Sequence, residues 1–113
     1  MWDVARWRSV EQPDRPWLSH YPQGVPAKLS YPQQQLGWLL HQAAERFPTR
    51  TACRYYHEEL TYSELLARAE RLATVFVREG LQPGDRVGVL LPNLPESIVA
   101  LFATWMAGGV VVS

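Results

Sequence analysis

The sequence is poor in the residue types from which reactive sites are usually built. Cysteine occurs once in 113 residues, at Cys53. A single cysteine excludes an internal disulfide framework and a zinc site of several thiolates. A reducing, cytoplasmic setting is therefore expected. Cys53 falls in a run that reads as a strand, so a buried small apolar residue is expected there. Lysine also occurs once, at Lys28, among prolines and with no glycine loop ahead of it. Neither G-x-x-x-x-G-K-[ST] nor G-x-G-x-x-G is present. A phosphate cradle needs consecutive backbone N–H groups presented by a glycine-rich turn, so none is expected. His20, His41 and His57 are scattered without the H-x-x-x-H spacing of a metal site. Each reads as a surface histidine, His41 on the polar side of its helix. No serine stands in a G-x-S-x-G elbow.

Excess charge is missing too. Eleven basic and eleven acidic residues give a formal net charge of zero. That balance excludes the electrostatic footprint of a nucleic-acid partner. It leaves no polybasic stretch for an anionic membrane. No run reaches the roughly 18 apolar residues that cross a bilayer. Residues 1–10 mix Trp, Asp and Arg without an apolar core, so no signal peptide is expected.

What is present is globular: 47% of the residues are hydrophobic. Residues 1–32 form an extended, irregular segment holding Pro13, Pro16, Pro22, Pro26 and Pro32. Trp2, Trp7, Trp17, Tyr21 and Tyr31 in the same segment suggest that it lies along a larger body. From Gln33 the pattern turns helical. Leu36, Leu39, Leu40, Ala43 and Phe47 share the spacing of one buried face, and Pro48 stops the helix. Residues 51–56 and 60–62 read as a tight hairpin with His57, Glu58 and Glu59 between the strands. Thr61 and Glu64 form a capping box ahead of a stripe from Leu65 to Val77, and Gly80 supplies the left-handed residue at the helix end.

Pro83, Gly84 and Asp85 make a turn. Residues 86–91 then read as a strand covered on both faces. Asn93 and Glu96 repeat the cap logic, with Pro95 in the first turn. A helix apolar nearly all round, with Ile98, Val99, Leu101, Phe102, Trp105 and Met106, ends at Gly108 and Gly109. The turn after Leu91 is the best-placed ligand position, since it joins a strand end to a helix start, but a structural cap is the expected reading. Val110 opens a further strand. The expected class is α/β with a parallel sheet. A helix apolar on every face and a strand that stops at Ser113 together predict an exposed apolar patch and an open strand edge.

Several of these strings recur together in one superfamily. Phe47-Pro48, Thr51-Ala52 and the run from Leu60 to Leu65 resemble the opening of adenylate-forming enzymes. The same holds for Gly80-Leu81, for Pro83 to Val87, for Leu91-Pro92-Asn93, and for Ala107 to Val112. The resemblance spans residues 33–112. Arg15-Pro16-Trp17-Leu18, Tyr21-Pro22 and Gly24-Val25-Pro26 look like the start of bacterial long-chain fatty-acid–CoA ligases. By resemblance the chain is an incomplete N-terminal part of the large adenylate-forming domain, with segment 1–32 preceding the domain proper at 33–113.

The family implies ATP, Mg²⁺, a long-chain fatty acid and coenzyme A for the parent enzyme, and the remainder of the ligase chain as partner. Its phosphate loop, magnesium-binding glutamate, ribose-binding aspartate and C-terminal lysine have no counterpart here. No catalytic, cofactor-binding or metal residue is therefore assigned, and the piece alone is expected to be inactive. A fatty-acid substrate is compatible with peripheral membrane contact. Two alternatives stand beside this one: another adenylation domain (peptide synthetase, aryl or medium-chain acid–CoA ligase), and a non-catalytic module that pairs its open edge with a partner.

Overall fold

The computed structural model describes residues 15–113; the chain divides into two units at Pro32/Gln33. The expectations for residues 1–10, Pro13, Trp2 and Trp7 lie outside the described residues. In the first unit, Pro16–His20 is a short 3-10 helix, so the segment is not extended throughout. Pro16 starts it because a fixed φ and a missing N–H suit a helix's first turn as well as an extended chain. The Ser19 hydroxyl closes the turn by donating to the Pro16 carbonyl at 2.7 Å. Trp17, Tyr21 and Tyr31 are exposed.

The second unit runs α1 (Gly37–Arg46), β1 (Thr51–Tyr55), β2 (Glu58–Thr61), α2 (Tyr62–Arg78), β3 (Arg86–Gly88), α3 (Pro95–Met106) and β4 (Val110–Val112). β1 and β2 form an antiparallel hairpin, while β3 and β4 pair in parallel across α3. The second pair is a βαβ unit, as the α/β class requires. The core sits among the three helices. Leu40, Leu65, Ala69 and Val99 are its buried centre, with Leu66, Leu72, Ile98, Phe102 and Met106 packed around them.

α2 is the element around which the others gather; it touches α1, α3 and both hairpin strands. Thr61 caps it by accepting from the Glu64 N–H at 3.2 Å, and Glu64 accepts in return from the Thr61 N–H at 2.8 Å. Gly80 follows its end with φ +99°, a left-handed geometry that glycine adopts without a Cβ penalty.

Three expectations need correction. α1 buries Gly37, Leu40 and Ala44, whereas Leu36 and Leu39 stay 51% and 53% exposed and Phe47 is exposed as well. The cause is Gly37: a Cβ there would stand 2.8 Å from Met106 Cγ, so only glycine lets α1 approach α3 along this edge. The strand expected over 86–91 ends at Gly88. Val89 adds one further ladder bond to the Val112 carbonyl at 2.8 Å, but Leu90 is 99% exposed and Leu91 is exposed too. The ladder goes no further because its partner β4 ends at Val112. Last, Glu58 and Glu59 belong to β2, and the turn is Tyr56-His57, with Tyr56 at φ +50°.

Candidate functional site

The best-placed concavity lies where β1 faces the start of α3. Cys53, Arg54, Tyr55, Asn93, Leu94, Pro95, Ser97, Ile98 and Leu101 line a hollow of about 340 Å³. Two of its polar residues, Arg54 and Ser97, are engaged by their neighbours. The hairpin register sets Arg54 opposite Glu59, and their ion pair closes at 2.6 Å. Glu59 also accepts from the Thr51 hydroxyl at 2.9 Å. Successive strand residues point to opposite faces, so Glu58 and Glu59 cannot act together as an acid/base pair.

The helix start is built differently from the expected Asn93–Glu96 cap. Leu94 holds the cap position, and the Ser97 hydroxyl accepts from its N–H at 3.2 Å. The same hydroxyl donates to the Pro92 carbonyl. Pro95 at the first helical position shifts the cap by one residue, because its fixed φ suits that place. With its hydrogen directed at Pro92, Ser97 lacks the adjacent general base that a nucleophilic serine requires. Cys53 is half-buried rather than fully buried.

Gly108 and Gly109 do not form a phosphate cradle. Gly108, at φ +84°, donates its N–H to the Trp105 carbonyl at 3.1 Å, and Gly109 donates to Thr104 at 2.8 Å. Both amides are spent on closing α3. A Cβ on Gly109 would stand 2.9 Å from Thr104 Cγ2 and 3.3 Å from Leu81 Cδ2, so the pair is a tight packing point. Gly84, in the preceding turn, donates to the Gly108 carbonyl at 2.8 Å and ties this helix end to the start of β3.

The histidines stand on separate elements. His20 ends the 3-10 helix, His57 lies on the hairpin turn, and His41 stands 3.9 Å from Glu70 across α1 and α2. Among the described residues, no group of three or more His, Cys, Asp and Glu could hold a metal ion. Among the described residues, Glu64 has a lowered pKa. Hydrogen bonds from the Thr61 N–H, then from its hydroxyl, hold Glu64 below the usual carboxylate range. That shift belongs to helix capping and not to catalysis. Sequence inspection missed the grouping of Cys53, Asn93 and Ser97 around one hollow. Cys53 is 40 residues from Asn93, and no local pattern links the two segments.

The family described as AMP-binding enzyme matches residues 40–113. A long-chain-fatty-acid–CoA ligase of Bacillus subtilis (strain 168) is 41% identical over 101 residues, which is 89% of this chain and 18% of the relative. Triostin synthetase I of Streptomyces triostinicus is 38% identical over 95 residues, 84% of this chain and 18% of that protein. Among solved structures, NpsA-ThdA, an artificially fused adenylation–PCP di-domain NRPS from Klebsiella oxytoca, matches with a TM-score of 0.69 at 28% identity. That match covers 73% of this chain and 16% of the other. The chain thus spans less than a fifth of each of the three.

Proposed function

The chain belongs to the AMP-binding enzyme family, and on that premise we propose that it is the opening part of a long-chain fatty-acid–CoA ligase. The parent reaction would be adenylation of a fatty acid by ATP with release of pyrophosphate, followed by displacement of AMP by the thiol of coenzyme A. The observation that carries the choice of substrate is the 41% identity to a fatty-acid–CoA ligase over 89% of the chain. An alignment of 101 residues cannot fit within 40–113, so it reaches into the segment before the family match.

The described residues do not fit ATP or Mg²⁺. The glycine pair has spent its amides, the acidic side chains do not cluster, and in the hollow beside α3 Arg54 is paired with Glu59 and the Ser97 hydroxyl with Leu94 and Pro92. No chemical step is assigned to them. Their role is scaffolding: α2 and its cap organise three helices, and α3 sets β3 parallel to β4. The groups that bind nucleotide and metal would come from the rest of the ligase. A cytoplasmic enzyme in peripheral contact with membranes would suit a fatty-acid substrate. No helix among the described residues is long and apolar enough to cross a bilayer.

A second reading, the adenylation domain of a peptide synthetase, is favoured by the structural match to the adenylation–PCP di-domain. Pyrophosphate exchange separates the two. Protein isolated from its source cells with an antibody to α2 should exchange pyrophosphate into ATP in the presence of palmitate, and then form palmitoyl-CoA. Exchange driven by an amino acid, with none driven by palmitate, would support the second reading. The 113 residues alone should form no AMP from palmitate and ATP, and AMP formation by them would overturn the scaffolding role.

A further inference from the structure

We draw no further inference here: the strongest candidate, the exposed aromatic surface of residues 15–32 around Trp17, Tyr21, Lys28 and Tyr31, carries nothing because nothing in the structure shows what covers it.

Discussion

Thr61 and Glu64 satisfy two orphan amides of α2 reciprocally. Replacing Thr61 by Ala should lower unfolding free energy by about 1 kcal/mol, the usual loss for an N-cap hydroxyl; urea denaturation followed by circular dichroism would measure it. Glu64 adds a pH dependence. Its folded-state pKa is depressed, so its contribution is present above the unfolded value and is lost as pH falls through the folded value. Helicity should therefore decline as acid takes the pH below the ordinary carboxylate range. Glu64→Gln should flatten that decline, because the amide keeps the hydrogen bond and does not titrate. An unchanged acid limb would show that other carboxylates set it.

The other decisive residue is Gly109. Gly109→Ala must displace Thr104 or Leu81, and overpacking of this kind typically costs about 1–3 kcal/mol. Both the cap and the glycine pair were legible in the sequence, because each is a local pattern. Thr104 was not. It is fully buried, with its hydroxyl donating to the Ala100 carbonyl at 2.7 Å. That bond to the preceding turn satisfies the hydroxyl and lets Thr104 sit inside.

Whether periodicity fixed the buried face differs between elements. On α2 the stripe is long, and Leu65, Ala69 and Ala73 are buried as its spacing predicts, whereas Val77 at its end is exposed. On α1 the apolar residues cover a wide arc, and the sequence cannot say which edge meets a neighbour. The small residues Gly37 and Ala44 made that choice by permitting close approach. Truncation of Leu40 to Ala should consequently cost about 2–5 kcal/mol. Truncation of Leu39, on the exposed side, should stay within about 0.5 kcal/mol. Equal losses at the two positions would refute this assignment of the α1 face. β3 failed for a related reason. The apolar run over 87–91 suited a buried strand, yet the ladder stops after Val89 and leaves Leu90 exposed. An apolar run carries no information about where its partner strand ends.

Over the whole molecule, the α/β class and the βαβ unit followed from the alternation of elements. The hollow beside α3 did not, since it depends on which distant segments meet. Val110, Val112, Leu90 and Leu91 are exposed on or beside a two-stranded parallel sheet. Parallel sheets are ordinarily covered on both faces. The isolated 113 residues should therefore bind a hydrophobic dye and self-associate with rising concentration, as light scattering would record. A monomer that leaves the dye dark would contradict the exposed sheet.

The central claim, that these elements scaffold a fatty-acid–CoA ligase, is tested most directly by the substrate dependence of the natural protein. Pyrophosphate exchange would be measured on protein isolated through α2, with palmitate, octanoate, benzoate and each amino acid in turn. Exchange with palmitate above the other acids is expected, and palmitoyl-CoA once coenzyme A is added. Exchange confined to amino acids, or none with any acid, would contradict it.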